Sequence, residues 1–496
     1  MGSEQQNNAR QRFYRAPCPG CGAPVEFHSA QSTHAVCAYC RTTVARDGDT
    51  LKRVGRLAEL FDDFSPLQIG ATGRDGQRGF VLVGRLQYAY AEGRWTEWVT
   101  AFDDGGPNGI LSEDNGAYVF AKAAAPAERI PAISTLALGK SMALGGQSYT
   151  VASIEQVTLA SAQGELSRLP QLNRPFAVVE LRNEQDQVLS LDYGSNPPAV
   201  WLGTPVQLAD LQLRGLRDES VKNEQGRSFN CPQCGSPVTV QLEKAQSVTC
   251  PGCHSLIDIA DGIGGELRHA QQKEAVRPLI PLGASGVLQD ETWQVIGFQR
   301  RQGQAPDDDE RFIWDEYLLY NKNKGFRFLV DASDGWSLVA PATGAPRLSG
   351  NLASYKGQSF RLEWAYRAET LYVAGEFYWQ VERGQSTDNK DFRGGNKLLS
   401  LESSPHEQVW SYGEKIDSDL VARMFNIDPG KLRRGDALPV SDLLRDGGKV
   451  MGWIFVTMLL IVMLVSECRR DDGSSSVGSG GLGRGYGSYS SGGGHK

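Results

Sequence analysis

Histidine is scarce in this chain, and the motifs that would put it to catalytic use are missing. There are 6 histidines among 496 residues, and one of them, His495, lies at the extreme end. None belongs to an HExxH pair or accompanies a nucleophile elbow or a P-loop, so no protease, hydrolase or nucleotide-phosphate signature is present. A basic excess is missing too. The formal net charge is −7 and the isoelectric point about 5.6. That balance argues against broad phosphate-driven nucleic-acid binding. Helical periodicity is nearly absent; one short amphipathic stretch runs from Asp417 to Phe425. Residues 1–12 (MGSEQQNNARQR) are polar and no apolar segment follows, so no secretory signal is visible and the chain's thiols are expected in the cytosol. Thiols stay reduced there, so clustered cysteines are expected to bind metal rather than form disulfides.

What is present is a chain written twice. Cys18, Cys21, Cys37 and Cys40 recur as Cys231, Cys234, Cys250 and Cys253, each 213 residues on. Phe80-Val-Leu-Val-Gly84 lines up with Trp293-Gln-Val-Ile-Gly297. After a six-residue insertion, Trp95-Thr-Glu-Trp98 lines up with Trp314-Asp-Glu-Tyr317. Gly164-Glu-Leu166 matches Gly375-Glu-Phe377, Leu189-Ser-Leu-Asp192 matches Leu399-Ser-Leu-Glu402, and Trp201 and Gly203 match Trp410 and Gly413. So small a drift over such a distance implies internal duplication. Within each half, short β-branched and aromatic runs alternate with Gly-rich turns: Phe80 to Tyr90, Tyr149 to Val157, Phe176 to Leu181, Trp293 to Phe298, Phe312 to Tyr320 and Phe326 to Val330. Such runs predict small β-barrels or sandwiches.

Each cysteine cluster is C-x2-C-x15-C-x2-C. A C-x2-C pair forms a knuckle that aims two sulfurs at one ion, and two knuckles complete a tetrahedral site. The metal ligands expected are therefore Cys18, Cys21, Cys37 and Cys40 in one ribbon, and Cys231, Cys234, Cys250 and Cys253 in the other, holding two structural Zn2+ ions. Four filled positions leave none for a substrate water. A four-cysteine iron–sulfur cluster and a redox C-x-x-C pair are the alternatives. His28, His34 and His254 lie near the clusters as surface residues rather than ligands. Arg15, Arg41 and Arg46 give the first ribbon some positive charge, whereas Glu243, Asp258 and Asp261 accompany Lys244 in the second. Nucleic acid is not the expected partner.

Three further features bear on function. Val450 to Val465 is an uncharged run of 16 residues, about 24 Å long as a helix. Flanked by Lys449, Arg469 and Arg470 and carrying Trp453 near one end, it is expected to anchor the chain in a membrane. Glu97 and Glu316 hold the same repeat position in W-x-E-aromatic; either a general base or a hydrogen bond that fixes local structure suits them. The acidic run Asp307 to Glu310 could attract a polyamine or metal ion, or be a solvated loop. Tryptophans crowd the second half, at 293, 314, 336, 364, 379 and 410, either as core or as a binding surface.

The expected organisation is a disordered N-terminus (1–12), zinc ribbon 1 (13–50), a β-rich repeat (60–213), a linker (214–226), zinc ribbon 2 (227–262) and a second β-rich repeat (277–415). A short helix and linker (416–449), a transmembrane helix (450–466) and a Gly/Ser-rich disordered tail (467–496) complete it. The fold class is mainly β, each half a four-cysteine ribbon followed by barrel or sandwich modules. Basic residues flank both ends of the membrane span, so the reduced cysteines decide its orientation: bulk cytosolic, single pass, inner membrane.

Trp314-Asp-Glu-Tyr-Leu-Leu-Tyr-Asn321, Gly325-Phe-Arg-Phe-Leu-Val330 and Trp336-Ser-Leu338, preceded by Trp293-Gln-Val-Ile-Gly297, resemble the bacterial family of uncharacterised function DUF4178. The first copy keeps Trp95-Thr-Glu-Trp98, with a Gly- and Asp-rich stretch from Phe102 to Ile110 in place of the second strand. The resemblance implies a role beside the polyamine-synthesis enzymes and small membrane proteins that family members are often encoded near. It implies no mechanism. The functions expected are a membrane-anchored scaffold or adaptor with protein partners at the cytosolic face, a polyamine or small-cation sensor, or an enzyme of unknown activity.

Overall fold

The computed structural model describes residues 14–432, apart from 48–49, 57–64, 92, 115–116, 127, 171–173, 218–226, 243–244, 260–267, 271, 273–275, 307–309 and 322–323. The expected membrane span at 450–466, the tail and most of the acidic run lie outside the described residues. Among the described residues no helix is long and apolar enough to cross a membrane.

Each half builds one closed antiparallel barrel of eight strands. In the first, Arg78–Tyr90, Gly93–Phe102, Gly109–Asp114 and Ala117–Ala123 run as a meander. Ala199–Val206 pairs with the last of these, and Val188–Asp192, Phe176–Arg182 and Gln147–Leu166 follow it around. Gln147–Leu166 then pairs back onto Arg78–Tyr90 and closes the ring. The second barrel repeats this order with Glu291–Gln304, Arg311–Asn321, Gly325–Ala332, Gly335–Ala342, Gln408–Ile416, Lys397–Ser403, Ser386–Gly394 and Gln358–Phe377. Closure removes the exposed edges that an open sheet of this size would present. The strand runs expected from the sequence all fall inside these elements.

Two glycines make closure possible. The long strand leaves one neighbour and takes up another along its 20 residues, and Gly164 and Gly84 are paired where it does so. A Cβ on Gly84 would stand 1.7 Å from the Glu165 carbonyl oxygen, and Gly164 has φ +71. The second half repeats the pair as Gly297 and Gly375, the latter at φ +89. Only glycine permits both the close approach and the left-handed backbone.

A flanking segment packs against the strands of each barrel. In the first, Leu211 packs with Leu67, Phe80, Trp98 and Phe120. In the second, the helix Ser418–Phe425 places Val421, Ala422, Met424 and Phe425 against Ile280, Leu288 and Trp293. Its start is capped by Asp417, which accepts from the Asp419 amide at 2.7 Å, and it ends at Asn426 with φ +53, as helix-capping chemistry requires. Of the second-half tryptophans, 293, 314, 336, 379 and 410 are buried, so core filling accounts for them.

The halves meet along a seam. The Ile154 amide donates to the His406 carbonyl at 3.1 Å, and the Ala345 amide to the Asn183 carbonyl at 3.0 Å. Ser153 lies opposite Glu407, and Lys356 is 3.2 Å from Asp186.

Candidate metal centres

Each cysteine cluster sits on two hairpins. In the first ribbon these are Tyr14–Pro17 with Pro24–Phe27, and His34–Val36 with Thr42–Asp47. In the second they are Arg227–Asn230 with Pro237–Val240, and Ser247–Thr249 with Leu256–Asp258. The four knuckles share one geometry. The residue after each second cysteine is left-handed: Gly22 (φ +78), Arg41 (φ +58), Gly235 (φ +74) and His254 (φ +59). Its amide donates to the carbonyl of the first cysteine of its pair at 2.8–2.9 Å. His254 thus serves the turn, and no histidine joins either cluster of ligand atoms.

This geometry brings each set of four sulfurs together, within 4.8 Å of one another. Cys18–Cys40, Cys21–Cys37, Cys231–Cys253 and Cys234–Cys250 are each 3.7 Å apart between Sγ atoms. A tetrahedron with metal–sulfur bonds of ~2.3 Å has edges of about 3.8 Å. The spacing therefore fits one ion per cluster and leaves no room for the inorganic core of a multi-iron centre. The residues present fit two closed four-thiolate sites.

The surroundings favour the thiolate at Cys40, Cys234 and Cys253 and oppose it at Cys18, Cys21 and Cys250. The Gly20 amide donates to Cys18 Sγ at 3.3 Å, and the Gly252 amide to Cys250 Sγ at 3.4 Å. Thr42 Oγ1 lies 3.2 Å from Cys40 Sγ, and Ser236 Oγ 3.3 Å from Cys234 Sγ. These hydroxyls hold the Cys40 and Cys234 thiols down to about 6, whereas burial pushes Cys250 up to about 12. Thiols that ionise near neutral pH reduce the proton cost of binding a metal.

Each ribbon is joined to its barrel twice. The second hairpin continues the barrel sheet: Val36, Ala35 and His34 pair with Gly164, Glu165 and Leu166, and Ser247 and Val248 with Phe377 and Glu376. The first hairpin is held by the same glutamates. Glu165 accepts from the amides of His28 at 2.6 Å and Ser29 at 2.9 Å, and its Oε1 is 2.8 Å from His28 Nδ1. Glu376 accepts from the amides of Gln241 at 2.8 Å and Leu242 at 2.5 Å. Gln241 and Leu242 are the repeat equivalents of His28 and Ser29. His28 is therefore part of a clamp rather than simply a surface residue.

Glu97 and Glu316 lie inside the barrels. Glu316 accepts from Trp314 Nε1 at 2.5 Å and Gln299 Nε2 at 2.6 Å, and Arg301 stands 3.8 Å away. Arg301, only 2 % exposed, also grips Glu402 at 2.9 Å and Thr387 at 2.8 Å. In the first barrel Arg168 lies 3.9 Å from Glu97 and is ion-paired with Asp192. Burial pushes the Glu97 carboxyl up, and Arg168 pulls it back. Each barrel thus encloses a Glu–Arg–acid triad. The arginine has moved between copies: the position of Arg301 is Tyr88 in the first half. The fixing role of these glutamates is what the geometry supports.

A sequence model of the family described as "Domain of unknown function (DUF4178)" matches residues 68–208 and 281–418. Those two segments hold the barrels and leave out the ribbons, and together they exceed half of the chain. No curated protein and no solved structure matches it. The chain is a member of the DUF4178 family, with two copies of the family's domain.

Proposed function

We propose that this chain is a membrane-anchored scaffold or adaptor, cytosolic in bulk, which presents two zinc-stabilised ribbon–barrel units to protein partners at the inner membrane. The observation that carries it is the continuity of each ribbon with its barrel in one sheet. With the seam between halves, this makes a platform of fixed geometry. Zinc is the proposed ion because four thiolates and a single-ion spacing suit it, and because a closed site contributes folding energy rather than chemistry. The membrane anchor is the apolar run at 450–466. In the test, the full chain and a variant lacking 450–466 are fractionated and cross-linked in their native cells. The proposal expects the full chain in the membrane fraction with a reproducible protein partner, and the variant released. Release of neither, or membrane association without any partner, would overturn it.

A second reading has its own observation. At the seam Asp114, Glu155, Glu180 and Arg182 all act electrostatically on Glu407, an excess of carboxylates that suits a polyamine or other small cation. Saturable binding of spermidine, lost on Glu407→Gln, would favour the sensor over the adaptor.

A further inference from the structure

In each ribbon the same two hairpins are linked in two independent ways. The metal site links them at one end, since Cys18 and Cys21 lie on the first knuckle and Cys37 and Cys40 on the second. At the other end a single residue of the barrel links them. The backbone of Glu165 pairs with Ala35 of the second hairpin, and its carboxylate takes the His28 and Ser29 amides that follow the first. Glu376 does the same in the other half, pairing with Val248 and accepting from Gln241 and Leu242. Two cross-links that fix one relative placement must support each other. Whatever strengthens one lowers the ordering cost of the other, and the effect is reciprocal.

We propose that Glu165 and Glu376 are positioning residues for the two metal centres, each coupling metal occupancy of its ribbon to docking of that ribbon on the barrel rim. The coupling is unequal. Ribbon 2 shares one apolar core with its barrel, in which Val240, Leu242 and Val248 join Trp314, Phe377 and Trp379. The main apolar core of ribbon 1, around Val25, Phe27 and Val44, is its own, and Val36 is what it contributes to the barrel core. Docking of ribbon 1 therefore depends more on its carboxylate. Buried Glu165 is also the better placed of the two, since charge-assisted hydrogen bonds gain strength where water is excluded.

The test uses the full chain, purified in detergent and loaded with zinc, and follows transfer of zinc to a chromophoric chelator. Glu165→Ala is expected to release one of two ions at least tenfold faster and leave the other unchanged. Glu376→Ala should accelerate the other ion by a smaller factor. Glu165→Gln keeps an acceptor, so it should fall between wild type and Glu165→Ala. It also covers the case in which the alanine variant does not fold. Amide exchange supplies a second readout: stripping zinc from wild type should speed exchange at His28 and Ser29 while the barrel strands stay protected. Wild-type release of both ions from a folded Glu165→Ala protein would overturn the proposal. So would equal acceleration of both ions, which marks general loosening, or unchanged exchange at His28 and Ser29 after stripping.

Discussion

Replacing Arg301 by Met should unfasten the second barrel from within. The guanidinium is almost wholly buried and makes a two-pronged contact with Glu402, at 2.9 and 3.2 Å, as well as a bond to Thr387. Methionine fills much of the same volume, so the cavity term is small and the uncompensated charge dominates. Removing one partner of a buried ion pair costs about 3–5 kcal/mol. Glu316 keeps its bonds from Trp314 and Gln299, which places the cost near the lower end, about 3 kcal/mol. At ~1.4 kcal/mol per tenfold, opening of this barrel should become roughly a hundredfold easier. Hydrogen exchange read on Glu291–Gln304 and Lys397–Ser403, with Arg78–Tyr90 as internal control, measures it. Adding Glu402→Gln should recover much of the loss at neutral pH. A cost below about 1 kcal/mol, or equal deprotection of both barrels, would refute the triad as a cause of barrel stability.

Other consequences are as specific. Gly84→Ala puts a Cβ 1.7 Å from a carbonyl oxygen, whereas the nearest backbone atom in Gly297→Ala is at 2.8 Å. The first should cost at least about 3 kcal/mol and clearly more than the second, measured by thermal or denaturant unfolding. Burial pushes Glu407 up to about 8 and Glu155 up to about 7. Both are raised carboxyls, so the stability of the seam is full at low pH and is lost as pH rises through about 7 to 8. Small-angle scattering should record expansion over that window, and Glu407→Gln should flatten it. Cys21→Ser should halve the metal content, because the second ribbon is complete in itself.

The duplication and the two four-cysteine clusters were legible because cysteine spacing is rigid: a knuckle tolerates only two residues between its sulfurs. The strands were legible where β-branched and aromatic runs met glycine turns, and Asp417 to Phe425 was legible as a short amphipathic helix. What was illegible was the use of the polar residues. Gly164-Glu-Leu166 and Gly375-Glu-Phe377 stood out as matched, yet matching alone cannot tell a carboxylate that clamps two amides from one in solvent. The signal was a glutamate locked beside a glycine required by strand crossing. The acid after each Leu-Ser-Leu was matched as well, but its arginine was hidden because the two copies supply it from different places, Arg168 just after the strand Gln147–Leu166 in one and Arg301 within Glu291–Gln304 in the other. Closure of the barrel was also beyond the sequence, since the hand-over of Gln147–Leu166 between neighbours depends on pairing far apart in the chain.

Metal content of the purified full chain tests the central claim most directly. Native mass spectrometry with elemental analysis should find two zinc ions per chain and no acid-labile sulfide, with one ion remaining in Cys21→Ser and one in Cys234→Ser. Iron with labile sulfide, or a folded chain that holds no metal at all, would contradict the account.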